Sequence, residues 1–265
     1  MRWEFLTASE FAEAVKETKV CIIAMGVVEK HAEHLPLGTD FLNGHALACA
    51  AAEKEKAVVF PPFYFGQIYE ARCFPGTLTI KPSLLIELIQ GVFDEIGRNG
   101  FKKIIVLNAH GGNNNLLPFL AQCTLWEQKP YSIYIYTGDP NEERRKKRQE
   151  ILETSMHFHA CECETSDILA NYPELAKMDK IPAEPAIPLD RLSHLPANYS
   201  GIWWYGDFPD HYAGDARPAT REKGLRLREL ESDAIAEFIK AVKADTVVPA
   251  LEKEFFERVA KLRNP

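Results

Sequence analysis

Residues 29–40 gather five side chains able to bind a metal ion or move a proton: Glu29, His31, Glu33, His34 and Asp40. They lie between an apolar run, Val20–Val27, that reads as a buried strand, and an Ala- and Leu-rich segment, Phe41–Lys56, that reads as a helix. In open α/β sheets, ligands bind just beyond the carboxyl ends of the strands. A glycine-rich connection there would suit phosphate; carboxylates with imidazoles suit a divalent cation. Glu29 and His31 stand two apart, so an extended chain turns both to one side. Pro36 and Gly38 delay the helix until Asp40, which sits where an N-cap belongs. In the plainer alternative Asp40 only caps the helix, and Glu29 and His31 face solvent. That alternative must account for several ligand types crowded into one turn.

Two further segments carry such groups. His110 ends an expected strand, Lys103–Leu107, within Asn108-Ala109-His110-Gly111-Gly112-Asn113. Gly111 and Gly112 let the backbone pass close to whatever His110 touches, and would also suit an anion-binding turn. The turn lacks the Lys-Ser/Thr of a P-loop and the GxGxxG of a dinucleotide fold, so phosphate binding is a rival for this turn alone. Met156–Ser166 supplies His159 and Glu164, with Cys161 and Cys163 among acids between them.

The elements that must position these residues alternate. Thr7-Ala-Ser-Glu10 has capping-box spacing before a short helix. After the Phe41–Lys56 helix come a short strand, Ala57–Phe60, and an aromatic loop, Phe63–Gly76. The helix Ser83–Arg98 follows, with Pro82 at its first position and Leu84, Leu85, Leu88, Ile89, Val92 and Ile96 on its stripe. A helix over 114–129, a strand over Tyr131–Tyr136 and a charged helix over Glu142–Leu152 continue the pattern. Beyond them lie an extended arm (Ile181–Pro188), an aromatic loop (Gly201–Gly214) and two closing helices, Thr220–Ala244 and Val248–Leu262. Alternation of this kind implies a doubly wound, parallel sheet. No composition shift marks a boundary, so 1–265 reads as a single domain.

The chain has 265 residues, 46% hydrophobic and 26% charged, with a net charge of −7. That balance argues against a nucleic-acid surface. The basic run Arg144–Arg148 has acids on both sides and reads as a solvated helix face. No stretch approaches membrane-spanning length, Met1–Phe5 lacks the core of a signal peptide, and the six cysteines form no CxxC pair. The expectation is a cytoplasmic protein.

Glu29-Lys30-His31 with His34-Leu-Pro-Leu-Gly-Thr-Asp40, then Asn108–Asn113, then His159-Ala-Cys-Glu-Cys-Glu164-Thr-Ser166 resemble the three signature segments of the creatininase (creatinine amidohydrolase) family. Phe74-Pro-Gly-Thr77 and Ala219-Thr-Arg-Glu-Lys-Gly224 resemble two lesser ones. The resemblance spans almost the whole chain. It implies an α/β three-layer sandwich with a central, mostly parallel sheet, a two-metal site of Zn or Mn type (Fe²⁺ suits the same donors), and a homo-oligomer, commonly a hexamer built as a trimer of dimers. It further implies that Glu29 and His110 hold one metal and His31 the other, that Asp40 bridges them, and that His159 is the catalytic histidine. Glu164 is the best available last ligand for the second metal.

Three departures point away from creatinine itself. Lys30-His31-Ala32-Glu33-His34 stands where the family usually has Gln-His-Gly-Pro-His. Gly111 and Gly112 replace a Tyr and a metal-binding Glu, and the loop before His159 lacks tryptophans that close over creatinine. The expected activity is therefore hydrolytic opening of a small cyclic amide or cyclic ketone. Alternatives are a hydrolase of an oxidised inositol (3-dehydro-scyllo-inosose type, with C–C cleavage) and a non-enzymatic binder of a phosphorylated ligand at Gly111-Gly112. Substrate choice is expected in Phe63–Arg72 and Trp203–Tyr212, with Glu70, Trp204 and His211 as candidate contacts; the second segment could equally pack a subunit interface.

Overall fold

The computed structural model describes residues 1–263; 264 and 265, which close the expected 1–265 domain, lie outside the described residues. Thr7 and Glu10 form the reciprocal capping box and start α1 (Ala8–Thr18). The chain then runs β1 (Val20–Met25), α2 (Thr39–Lys54), β2 (Val58–Val59), α3 (Pro82–Arg98), β3 (Lys103–Asn108), α4 (Leu116–Cys123) and β4 (Ser132–Tyr136). It continues through α5 (Glu142–Ile151), β5 (His157–His159), α6 (Glu162–Asn171), α7 (Trp203–Asp207), β6 (Ala213–Gly214), α8 (Arg221–Ala244) and α9 (Val247–Arg263).

Strands β2-β1-β3-β4 form one parallel sheet in that order. Every residue of β1 is buried, as befits a strand covered on both faces. Its side chains alternate between two cores. Cys21, Ile23 and Met25 meet α1, α3 and α4 through Ala14, Leu85, Ile89, Phe93, Leu117 and Leu120. Val20, Ile22 and Ala24 meet α2 and α8 through Ala48, Ala51, Ile235 and Ile239. The result is a three-layer α/β sandwich. Fully burying each of the larger aliphatic or aromatic side chains is worth roughly 1.5–3 kcal/mol.

The chain leaves β1 toward β2 on one side and reaches β3 on the other, so the strand order switches between β1 and β3. Their last residues, Met25 and Asn108, are register partners. Whatever follows the two strands therefore emerges at one crevice. A second, antiparallel pair, β5 with β6, sets His159 opposite Ala213. Gly224 fixes α8 against α6: a Cβ there would fall 1.9 Å from the Ser166 carbonyl oxygen.

Several expectations are corrected. Asp40 is not an N-cap: Gly38 occupies that position, and the Thr39 hydroxyl donates to the Pro36 carbonyl to close the turn. The strand expected over 57–60 shortens to two residues ahead of Pro61-Pro62, which cannot extend a ladder. The helix expected over 114–129 is α4 flanked by two 3₁₀ turns, Gly111–Asn114 and Thr124–Trp126, in keeping with the Asn-rich start that favours turns. Leu84 is exposed, and Phe93 takes its place on the buried stripe of α3. The 201–214 loop contains the helix α7. In the basic run, Arg144 bridges Asp139 and Glu237, and Arg148 reaches Glu231, because α5 lies along α8.

Candidate metal centre

As the second residue of α2 rather than its cap, Asp40 keeps its carboxylate free of the helix end. Its Oδ1 lies 2.9 Å from His31 Nε2 and its Oδ2 2.8 Å from His110 Nδ1. Glu29 Oε1 approaches the same His110 nitrogen at 2.9 Å. Glu164 Oε2 lies 3.9 Å from His31 Nε2. Two triads of metal-ligand type result, Glu29–Asp40–His110 and His31–Asp40–Glu164, each with ligand atoms within 4.8 Å of one another, and Asp40 belongs to both. Glu29, His31 and His159 form a third such group.

Outer hydrogen bonds set the imidazole tautomers. His110 Nε2–H donates to the Gln67 carbonyl (2.9 Å), which turns Nδ1 toward Glu29 and Asp40. His31 Nδ1–H donates to the Glu29 carbonyl (3.2 Å), which aims Nε2 at Asp40 and Glu164. His159 Nε2–H donates to the Lys30 carbonyl (2.7 Å), and its ring lies 4.2 Å from that of His31. Gly112 permits the Gln67 approach: a Cβ at 112 would lie 2.5 Å from both the Gln67 carbonyl oxygen and His110 Nε2.

The carboxylates dominate the electrostatics of both triads. Burial opposes charge on His110, yet Glu29 and Asp40 outweigh it and raise its pKa well above the usual imidazole value. His31 is likewise raised to about 9, with Asp40 overcoming burial. Glu29, though buried, is held well below the usual carboxylate range by His110 and His159. Glu164 is pushed up to about 7 because burial, with Asp40 and Glu29 adding to it, outweighs the pull of His31 and the Ala160 amide. His159 differs: burial, with His31 and His211 adding to it, pushes its pKa down to about 3 and keeps the ring neutral. Among the described residues, neither Glu29 Oε1 nor Asp40 Oδ2 makes a hydrogen bond. Orphaned buried carboxylate oxygens beside imidazole nitrogens fit divalent cations.

The substrate-contact expectations resolve differently. Glu70 accepts the Gln67 amide (2.9 Å) and supports the loop that locks His110, away from the cluster. His211 is buried and donates Nε2–H to Glu29 Oε2 at 2.5 Å, while Trp204 Nε1–H donates to His211 Nδ1 at 3.1 Å. With both ring nitrogens taken, His211 stands behind Glu29 rather than in a cavity wall. Trp203 faces outward, and Asp207 accepts the Asp190 amide. Cys161 and Cys163 lie outside the triads, and burial keeps both as thiols.

Sequence reasoning missed the outer partners. The Gln67 and Lys30 carbonyls carry no side-chain signal at all. Asn113, which holds the Gln67 amide and the Met25 carbonyl, could have been suspected from its place after His110. A cavity of about 290 Å³ opens against Asp40, His110 and Glu164, walled further by Asn43, Asn171 and Arg228. Its α8 side was read only as a helix.

A family model described as creatininase, creatinine amidohydrolase, matches residues 4–239. The creatinine amidohydrolase of Pseudomonas putida is 24% identical over 244 residues, covering 83% of this chain and 88% of that protein. The 3-dehydro-scyllo-inosose hydrolase of Thermotoga maritima is 25% identical over 260 residues, 91% of this chain and 83% of the relative. A solved structure described as "Creatininase Mn" shares the fold with a TM-score of 0.76 at 20% identity, over 92% of this chain and 99% of that one. With the match running through all three acid- and imidazole-bearing segments at one crevice, the chain belongs to the creatininase family.

Proposed function

We propose that this protein is a binuclear metal-dependent hydrolase that opens a small cyclic amide or cyclic ketone. The observation that carries the reading is Asp40 shared between two ligand triads. Glu29 and His110 would hold one ion, His31 and Glu164 the other, and Asp40 both, with Zn²⁺ or Mn²⁺ first and Fe²⁺ compatible with the same donors. Two such ions, when bound, polarise a carbonyl and lower the pKa of an attacking water.

The chain's own groups supply the rest. With Nε2–H committed to Lys30, His159 has Nδ1 free to accept a proton. There it can take a proton and deliver it to the departing amine or carbon. The cavity against Asp40 and Glu164 admits a small polar ring, which Asn43, Asn171 and Arg228 can hydrogen-bond. That polar wall favours a second reading, hydrolysis of an oxidised inositol by C–C cleavage. The phosphate-binder alternative loses its support, because close packing on Gln67 accounts for Gly112.

Exposed Phe119, Leu125 and Trp126 border a common surface hollow and support a homo-oligomer, the trimer of dimers that the resemblance implies. Six free thiols suit a reducing, cytoplasmic setting. No helix among the described residues is long and apolar enough to cross a membrane. The test is metal analysis, expected to give about two ions per chain. It is joined to a turnover screen of Mn- or Zn-loaded protein on lactams, formamides and keto-inositols. His159→Ala should keep the metal and lose turnover. No metal uptake, or full turnover in that variant, would sink the proposal.

A further inference from the structure

His211 has a backbone that few non-glycine residues adopt. Its φ is +57°, the left-handed region where glycine is at ease, yet the position carries a buried imidazole. The ring is fully committed. A tryptophan N–H can only donate, so Trp204 makes His211 Nδ1 an acceptor and places the proton on Nε2. Nε2–H then donates to Glu29 Oε2. Glu29 is thereby left with one oxygen, Oε1, facing His110 Nδ1. A core-filling side chain would need neither the strained backbone nor this directed chain of donors.

We propose that Trp204 and His211 form a positioning relay that holds Glu29 as a one-oxygen metal ligand, and that the left-handed backbone at 211 is retained because it delivers the ring there. Trp204 sits on α7 and His211 just before β6, so the relay ties the helix-bearing loop to the far side of the cluster. Neither residue touches the substrate cavity beside Asp40 and Glu164. The inference rests on the reading of Glu29 as a metal ligand.

The experiment measures zinc affinity of the full chain by competition with a chromophoric chelator, together with thermal melting of the metal-free protein. His211→Gly relieves the backbone and removes the donor. His211→Gln keeps an N–H near the position of Nε2. Trp204→Phe removes the lock on the tautomer and leaves the ring. The expected result is that His211→Gly weakens the tighter zinc by about 10- to 100-fold, the range seen when an outer-shell partner is removed. Metal-free melting should fall, since a buried ring and its two hydrogen bonds are lost, so zinc affinity is read below the melting temperature of each variant. Trp204→Phe should lose less, and His211→Gln should regain part of the loss.

Wild-type zinc affinity in His211→Gly, with two ions bound by the wild type, would overturn the relay and leave the metal reading standing. A wild type that takes up no zinc would overturn both. Should His211→Gly fail to fold, His211→Gln and Trp204→Phe decide the matter: wild-type affinity in Trp204→Phe, or no zinc bound by His211→Gln, overturns the relay.

Discussion

The two halves of the centre are built differently. In the Glu29–Asp40–His110 half each outward-facing atom has a partner: Glu29 Oε2 has His211, and His110 Nε2 has the Gln67 carbonyl. Glu29 is fully buried. In the His31–Asp40–Glu164 half the Glu164 side chain is 28% exposed, and among the described residues its carboxylate accepts one hydrogen bond, from the Ala160 amide. The cavity reaches both halves, at Glu164 and at His110. On the proposed reading, the more buried half would keep its cation and the more exposed half would share one with a ligand. Outer partners fix ligand geometry and raise affinity, and openness is what substrate exchange needs.

The sharpest way to break that contrast is at its shared residue. Asp40→Ala should abolish uptake of both ions and cut turnover by on the order of a thousandfold or more, since the activated water goes with them. Glu164→Gln should release only one ion, as read by metal analysis. Retention of two ions by the first variant, or loss of both by the second, would end the two-halves picture.

A smaller effect is expected at the glycine pair. Gly112→Ala places a Cβ against the Gln67 carbonyl and His110 Nε2, so the closed half should bind its ion about tenfold more weakly. The same overpacking should cost about 1–3 kcal/mol in chemical unfolding. Gly111→Ala meets nothing within 4 Å and should leave both measurements unchanged. Equal effects at the two positions would mean that loop conformation, rather than the Gln67 contact, governs the site.

The last expected effect is one of pH and concerns His34, whose Nε2 hydrogen-bonds the Thr165 hydroxyl beside Glu164 (2.9 Å). Burial, with His31 adding to it, pushes its pKa down to about 4. The unfolded chain, at about 6.5, binds the proton that the folded chain refuses. Stability should therefore fall as pH drops from about 6.5 toward 4, by at most ~1.4 kcal/mol per pH unit from this group. His34→Gln should flatten the slope in urea titrations, and an unchanged slope would show that the ring is free to take a proton in the fold.

How much was legible follows from where each signal resides. The capping box at Thr7 and Glu10, the apolar run of β1 and the Pro82 start of α3 are local in sequence and proved so in space. Asp40 was misassigned as a cap because Pro36 and Gly38 allow more than one helix start, and the turn closed by Thr39 starts the helix two residues earlier. His211 and Trp204 were noticed as polar and aromatic groups in a loop. Their bond to a residue 182 positions away from His211 could not be read, because it depends on how the segment before β6 meets the turn that follows β1.

Residue types and spacing alone determined that acids and imidazoles follow two buried strands, a pattern that water-exposed loops rarely require and cations do. Tertiary structure alone decided which atoms face inward. That choice is made by carbonyls of Gln67, Lys30 and Glu29 capturing one nitrogen of each ring, and by α6 and α8 closing to leave a cavity on the Glu164 side. A backbone carbonyl is the same group at every position, so its selection of a tautomer has no sequence code and exists only once the chain is folded.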